Sequence, residues 1–172
     1  MTGKTNPSGK LVCTFPASYS GHYASTSYPP VDHKITYSEG LLMGYRWFDA
    51  KGLKPEFPFG FGLSYTKFTF SGLRIGPSSV SFRVKNTGRI VGTEVAQLYV
   101  SRPGGPEKRA LHGFKRVHLL PGDSERITLP LKENWMSRWD VAGHKWVLDR
   151  GTYDAWVGDS SADLPLHEQF SR

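Results

Sequence analysis

Glu39 and Asp49 flank a short apolar segment and are the first candidates for chemistry, because a pair of carboxyl groups can cleave a glycosidic bond. Cleavage with retention needs the two groups about 5–5.5 Å apart, and cleavage with inversion needs about 6.5–9.5 Å. Ten residues along a helix rise roughly 15 Å, so an intact helix would hold this pair too far apart. We therefore expect Glu39 to support the first turn of a helix and Asp49 to lie at its end.

Other residue types that carry chemistry lack the partners they would need. The six histidines include no HxH or HxxxH pair on a predicted helix, so a metal site is not expected. Gly60-Phe61-Gly62 has no third glycine and no preceding strand, which predicts a turn rather than a phosphate loop. The single Cys13 cannot form an internal disulfide and is expected to be a small buried residue. We predict no catalytic residue, no metal and no cofactor in this sequence.

The tryptophans are the remaining candidates, because an exposed indole ring can stack on a sugar while a buried one supplies core area. The five are Trp47, Trp135, Trp139, Trp146 and Trp156. Trp156 lies one residue off the alternating face of Tyr153, Ala155 and Val157, so it is expected to point away from that face. Both interpretations, sugar platform and core, stay open at this stage.

The first third of the chain predicts an irregular segment with one short helix. Residues 1–36 are interrupted by prolines and are rich in Ser, Tyr and Gly. Residues 37–49 predict a helix with Ser38 as its cap, and Lys51-Gly52 would end it. Residues 55–65 form a connector rich in Pro, Gly and Phe.

From about Phe68 onward the pattern is typical of short antiparallel strands. Val80, Phe82 and Val84 alternate with polar residues, as in a strand with one buried face. Pro121-Gly122 predicts a turn. About seven or eight such strands indicate a mainly β fold: an immunoglobulin or fibronectin type III-like antiparallel β-sandwich, preceded by an irregular extension with one short helix. The predicted core includes Val84, Leu98, Ile127, Leu129 and Val157.

The net charge of +7 comes from 22 Lys and Arg against 15 Asp and Glu. The charges are spread along the chain apart from a basic cluster between Lys108 and His118. A scattered basic surface attracts polyanions without specifying a partner, so we expect no nucleic acid. No stretch approaches the roughly 18 apolar residues that span a membrane. The first residues contain no apolar signal segment, so a complete chain would be expected in the cytoplasm.

Several stretches resemble glycoside hydrolase family 3, the β-glucosidase family. GKTNPSGKLVCTFP (3–16) is similar to one segment of the second catalytic domain of that family. YSEGLLMGYRWFD (37–49) and FPFGFGLSYTKF (57–68) resemble the closing part of the same domain. The stretches at 80–103 and 143–166 resemble the fibronectin type III-like domain found at the C-terminus of many members, which are often secreted.

This resemblance implies two parts: a remnant of the second catalytic (α/β) domain with a connector at 1–66, and a fibronectin type III-like domain at 67–172. It also implies that the catalytic groups lie elsewhere. The family nucleophile is an Asp of an N-terminal (β/α)8 barrel, and the acid/base is usually a Glu well upstream of the segment matched by 3–16. A WD pair followed by another Trp is an ordinary framework feature of the family, which favours core positions for Trp139 and Trp146.

Three functions compete. The first is a non-catalytic accessory or stabilising domain, inactive alone, and the second is a carbohydrate- or protein-binding module. The third and least favoured is a β-glucosidase-related hydrolase acting with a separate catalytic chain. No residue supports an enzyme with newly recruited catalytic groups of its own. A helix of about 13 residues with two glycines is marginal in water. The apolar cluster at 41–61 should therefore dock on the sandwich or on a partner, either a glycosidase catalytic domain or another protein; a polysaccharide is the alternative ligand. The predicted interaction surface comprises Leu41, Leu42, Trp47, Phe48, Phe57, Phe59, Phe61 and Trp156.

Overall fold

The computed structural model describes residues 3–30 and 32–172. Residues 1, 2 and 31, which fall in the predicted extension, lie outside the described part. Before the β-rich region the chain is irregular, as predicted, apart from a 3₁₀ turn at Tyr19–Gly21 and helix α1 at Tyr45–Lys51. We refer to the described residues from 3 to 66 as the extension.

Helix α1 begins at Tyr45, so the predicted start near Ser38 is wrong. Gly40 and Gly44 adopt φ values of 58° and 56°, which a right-handed helix cannot include. Residues 37–42 form turns instead. The predicted end is confirmed, because Gly52 is left-handed and donates its N–H to the Asp49 and Phe48 carbonyls. Neither helix in the described part of the chain is long and apolar enough to cross a membrane.

Antiparallel strands build the rest of the described chain and form a β-sandwich, as predicted. The strands are β1 (Phe68–Ile75), β2 (Ser79–Asn86), β3 (Gly92–Val100), β4 (Ala110–Leu119), β5 (Ser124–Pro130), β6 (Arg138–Asp140), β7 (Lys145–Val147), β8 (Thr152–Gly158) and β9 (Leu166–Ser171). A short helix α2 (Glu133–Met136) lies between β5 and β6. One sheet has the order β1-β2-β5 and the other β4-β3-β8-β9, while β6 and β7 form a separate hairpin.

The core lies between the two main sheets. Val80, Phe82 and Val84 are fully buried on β2, which confirms the predicted alternation. Both faces of β3 are buried. Leu98 and Val100 lie in the core between the sheets, while Tyr99 on the other face packs against Tyr45 of the extension. The predicted core residues are all confirmed: Val84, Leu98, Ile127, Leu129 and Val157 are buried.

A buried amide joins the extension to both sheets. Asn86, at the end of β2, donates to the Ile90 carbonyl at 2.8 Å and to the Leu119 carbonyl at 3.0 Å. Its side-chain oxygen accepts a 2.6 Å hydrogen bond from the Thr66 hydroxyl. A Cβ at Gly92 would lie 2.5 Å from the Thr66 methyl group, so only glycine fits beside this joint. The last residue of the extension is thereby fixed to the sandwich.

Two expectations about burial are wrong and a third is confirmed. Cys13 is exposed rather than buried, because the irregular segment around it has no second apolar layer. Trp139 and Trp146 lie on the β6–β7 hairpin, outside the two main sheets, and are 47% and 64% exposed rather than in the core. Trp156 points away from the buried Tyr153, Ala155 and Val157, as predicted, and is half-buried.

Candidate interaction surface

The extension contacts the sandwich through an aromatic cluster on α1. The Tyr45 ring lies edge-on to Tyr99 of β3, with centroids 5.6 Å apart, and against Phe59 at 5.2 Å. The Tyr45 hydroxyl accepts a 2.8 Å hydrogen bond from the Leu111 N–H of β4. Phe48, one turn further along α1, is buried. This seven-residue helix is too short to be stable alone, so these contacts must hold it.

A single arginine ties helix α1 to β8 and to the loop that follows it. The Arg109 guanidinium donates to Asp49 of α1 at 2.8 Å and to the Ser161 carbonyl at 2.9 Å. It also lies over the indole of Trp156, 5.6 Å from the ring centroid, where a cation is attracted by the ring face. Burial raises the pKa of Asp49 above its usual value, and the Arg109 charge opposes that rise. The Arg109 charge therefore offsets part of the cost of burying this carboxylate.

A second ion pair holds the start of the extension. Lys10 Nζ lies 2.7 Å from Glu94 Oε1 of β3 and 3.9 Å from Asp159 Oδ2 after β8. The Lys10 and Glu94 side chains are both largely buried. Burial raises the pKa of Asp159, and Lys10 again opposes the rise. Strand β3 and the loop after β8 thus share one cation from the extension.

The two halves of the extension run beside each other. Leu11 N–H donates to the Phe61 carbonyl at 2.8 Å, and Phe15 N–H donates to Phe57 O at 2.8 Å. The Asn6 side chain accepts the Tyr65 N–H at 2.8 Å and donates to the Val91 carbonyl at 3.2 Å. The stretch with the GK-x-NPSG pattern and the FPFGFGLSY connector therefore form one layer, although some fifty residues separate them.

Gly60 shows why the connector is rich in glycine. Its φ of 83° lies in the left-handed region, and a Cβ there would lie 2.5 Å from the Gln97 side chain. The neighbouring Phe59 carbonyl accepts a 2.8 Å hydrogen bond from Ser161 N–H. Gln97 in turn accepts a 2.6 Å hydrogen bond from the Tyr99 hydroxyl and donates to the Asp159 carbonyl. A side chain at position 60 would displace this buried network.

The opposite side of the extension is an open apolar groove of about 640 Å³. Its aromatic wall consists of Phe57 between Phe15 and Phe61, with ring centroids 6.4 Å and 5.3 Å from the Phe57 ring. The groove is also lined by Leu11 and Leu63. Leu63 is 69% exposed, so this apolar surface faces outward. Contiguous exposed apolar surface of this kind marks an interaction site in soluble proteins.

The predicted interaction residues therefore occupy three places rather than one patch. Phe48, Phe59 and Trp156 lie at the contact between the extension and the sandwich. Phe57 and Phe61 line the outer groove, while Leu41 is exposed at the far end beside Trp135 and Trp139. Leu42 and Trp47 are half-buried, and the Lys51 ammonium lies 5.0 Å from the Trp47 ring centroid.

Several contact residues had no distinguishing signal in the sequence. Arg109 belongs to a basic cluster that reads as a solvated face, and Lys10 is one of 22 scattered cations. Their partners lie 60 and 84 residues away along the chain, so only the fold brings them together. Tyr45 did carry a signal, because it falls at helical spacing on one apolar face with Leu41, Leu42 and Phe48.

The two candidate carboxylates do not share an environment. The Asp49 carboxylate is paired with Arg109, whereas Glu39 is buried in the turn before α1. One oxygen of Glu39 has no hydrogen-bond partner among the residues that the structure describes. Within residues 3–30 and 32–172, no three His, Cys, Asp or Glu side chains cluster as a metal site requires.

Comparison with known proteins places this geometry in context. A fibronectin type III-like domain family matches residues 94–161. Probable β-glucosidase M of Neosartorya fischeri is 40% identical over 99% of this chain and 26% of its own length. Thermostable β-glucosidase B of Acetivibrio thermocellus is 39% identical over 98% of this chain and 24% of its own length.

Solved structures agree with the sequence relatives. DesR, a β-glucosidase from Streptomyces venezuelae crystallised in complex with D-glucose, superposes with a TM-score of 0.92 at 38% identity. The superposition covers 98% of this chain and 23% of that protein. The chain thus spans about a quarter of the length of the relatives it matches.

Proposed function

Because the chain corresponds to the C-terminal part of a glycoside hydrolase family 3 β-glucosidase, we propose that it is a non-catalytic accessory and stabilising part of such an enzyme. Residues 67–172 are the fibronectin type III-like domain, and residues 1–66 are the closing part of the second catalytic domain. The sandwich holds that closing part in shape so that the rest of the catalytic domain can pack on it.

One observation carries this proposal: the extension has two apolar faces, of which one is packed on the sandwich and the other is open. The inner face packs on the sandwich through Tyr45, Phe48 and Phe59. The outer face, with Phe57 and Phe61, is an open groove. A segment that is anchored on one side and apolar on the other has the form of a layer between two folded bodies.

The anchoring is strong enough for a stabilising role. Two ion pairs, Asp49–Arg109 and Lys10–Glu94, are largely buried between the extension and the sandwich. Removing one partner of a buried pair costs about 3–5 kcal/mol, because the other charge is left uncompensated. The extension and the sandwich should therefore unfold together rather than in sequence.

Catalysis is assigned to a different part of the enzyme. The family nucleophile and acid/base lie in regions that this chain does not match, and Asp49 is committed to Arg109. We expect the purified chain to show no turnover of p-nitrophenyl β-glucoside. Turnover that is lost in Glu39→Gln or Asp49→Asn would contradict the proposal and assign chemistry to that residue.

The partner is a β-glucosidase catalytic domain that covers the outer groove. A direct test replaces the matching part of the Acetivibrio thermocellus β-glucosidase B with this chain. We expect the chimera to hydrolyse p-nitrophenyl β-glucoside and to survive heating better than the same enzyme truncated before the matching part.

A matched pair of variants locates the contact. Phe57→Ser removes an aromatic side chain from the outer groove and should lower the thermal inactivation temperature of the chimera. Val12→Ser changes a side chain that is 86% exposed and does not line the groove, so it should have no effect. The accessory role is refuted if the truncated enzyme is as active and as heat-resistant as the chimera.

A further inference from the structure

A second groove lies between helix α2, the β6–β7 hairpin and the start of β4, and Leu41 of the extension also lines it. Three indole rings line it: Trp135, Trp139 and Trp146, which are 48%, 47% and 64% exposed. Trp139 and Trp146 face each other across the hairpin, with ring centroids 5.6 Å apart and planes at 72°. Exposed Trp is costly in water, so three in one concavity indicate a ligand surface.

The polar groups of this groove nearly cancel in charge. Arg102 Nη2 lies 3.4 Å from Glu107 Oε1, and Arg102 Nη1 lies 3.6 Å from Asp149. Arg138 Nε contacts the same Asp149 at 3.0 Å. Both guanidinium groups are thereby paired with carboxylates. Although the chain carries a net charge of +7, this concavity is not a basic patch and would not select an anion.

His112 supplies an independent sign of a ligand. It is 5% exposed, lines the groove and packs edge-on against Trp135, with centroids 5.9 Å apart. Neither nitrogen of the His112 ring has a hydrogen-bond partner within residues 3–30 and 32–172. The second carboxylate oxygen of Glu107 also has no partner among these residues. Burial lowers the pKa of His112 to about 4, partly offset by the nearby Ala110 carbonyl, so the ring is neutral at pH 7. A neutral imidazole offers one donor and one acceptor.

We propose that this groove binds a neutral saccharide, with one pyranose ring against Trp139 or Trp146 and its hydroxyl groups bonded to His112, Glu107 and Arg102. The apolar C–H face of a pyranose matches an indole, and each hydroxyl both donates and accepts a hydrogen bond. The groove holds about 420 Å³, within the range of small-ligand pockets.

A saccharide fits these groups better than a protein segment does. Apolar side chains of a peptide would leave the His112 and Glu107 atoms without partners, which is costly in a buried position. A charged peptide would find guanidinium and carboxylate groups that already neutralise each other. A neutral sugar ring can stack on the flat aromatic surface and can also form hydrogen bonds with the unpartnered donor and acceptor.

The test measures binding of cellohexaose, laminarihexaose and soluble barley β-glucan to the purified full chain by isothermal titration calorimetry and by tryptophan fluorescence. High salt removes the non-specific attraction of the basic chain for polyanions, and polygalacturonate serves as the acidic comparator. We expect at least one neutral glycan to bind and to change tryptophan emission, and binding to persist in high salt.

Variants place the ligand in the groove. Trp139→Ala and Trp146→Ala each remove an exposed ring without touching the core and should weaken binding about tenfold or more. Tyr65→Ala removes a comparably exposed aromatic side chain that does not line this groove, so binding should be unchanged. His112→Leu should weaken binding about tenfold while leaving the unfolding midpoint the same or higher, since it replaces unpartnered buried polar atoms with apolar ones.

Three results would overturn the proposal. The first is no binding of any of the neutral glycans at millimolar concentration. The second is binding that Trp139→Ala and Trp146→Ala leave intact, because the sugar would then lie elsewhere. The third is loss of heat resistance in the chimera described above when either tryptophan is replaced, with no glycan binding by the unsubstituted chain, because the groove would then be a protein contact.

Discussion

Replacing Arg109 by leucine is the most direct test of how the extension is held. Arg109 and Asp49 are 14% and 15% exposed, and their closest atoms are 2.8 Å apart. Exposed ion pairs contribute about 0–1 kcal/mol, whereas removing one partner of a buried pair costs about 3–5 kcal/mol. Because these side chains are mostly but not fully buried, we expect Arg109→Leu to lower the free energy of unfolding by about 3 kcal/mol at pH 7.

The pH dependence of that loss identifies its cause. Burial raises the pKa of Asp49, and Arg109 opposes the rise, so the pKa should move further up in Arg109→Leu. An acid whose pKa is higher in the folded state than in the unfolded state loses stability as the pH rises from the unfolded pKa through the folded one. The deficit of the variant should therefore be small near pH 4 and should grow toward pH 7.

Urea unfolding at pH 4 and pH 7, followed by circular dichroism and by tryptophan fluorescence, measures both quantities. Adding Asp49→Asn to Arg109→Leu removes the uncompensated charge and should restore most of the lost stability at pH 7. The double variant should also show a deficit that does not change with pH. A loss below about 1 kcal/mol at pH 7, or an equal loss at both pH values, would refute a buried ion pair as the anchor.

Three further predictions test the sandwich, the connector and the extension. Leu129→Ala, which removes a buried side chain, should cost about 2–5 kcal/mol in denaturant unfolding; a loss under about 1 kcal/mol would contradict its core position. Gly60→Ala and Gly122→Ala share a φ of 83°, but only the Cβ at Gly60 would meet a side chain, that of Gln97 at 2.5 Å. Gly60→Ala should therefore be the more destabilising by about 1–3 kcal/mol in thermal or urea unfolding, and equal losses would contradict this packing. Cys13 should react with Ellman's reagent in the native protein as fast as in the unfolded one, and protection in the native state would show that it is buried.

The sandwich could be predicted because the patterns that specify its strands and turns lie within short stretches of the sequence. Alternation of period two along Val80–Val84 and Ile127–Leu131 identifies the buried face of each strand, and Pro121-Gly122 marks a turn without reference to the rest of the chain. Burial on one face of a sheet then follows from the pleat. The ladder itself confirms the pattern, with Val80 opposite Leu129 and Phe82 opposite Ile127.

The start of helix α1 was predicted less well, because the conformation of a glycine cannot be read from its neighbours in the sequence. The apolar spacing through Leu41, Leu42 and Tyr45 is compatible with a helix, yet Gly40 and Gly44 take positive φ values and delay its start to Tyr45. A glycine adopts left-handed conformations at no steric cost, so its φ is set by what the neighbouring residues must contact. Here Tyr45 must reach Tyr99 and Leu111.

The tryptophans also divide into positions that the sequence predicts and positions that only the fold determines. Trp156 could be assigned to the far face of β8, because its neighbours alternate. Trp139 and Trp146 lie on a hairpin that belongs to neither main sheet, and no periodicity over three-residue strands reveals that. Their exposure, and the groove they form with Trp135, appear only once α2 and β4 are in place.

The sequence by itself determined the strands, the core and the family, because these depend on periodicity and on motifs that are contiguous in the chain. The tertiary structure alone decided which charges meet, since Arg109 and Asp49 are 60 residues apart and Lys10 and Glu94 are 84 apart. It also decided which side of the extension is covered. Ion pairing and burial are properties of distance in space, and distance in space between remote residues is set by the packing of the whole fold.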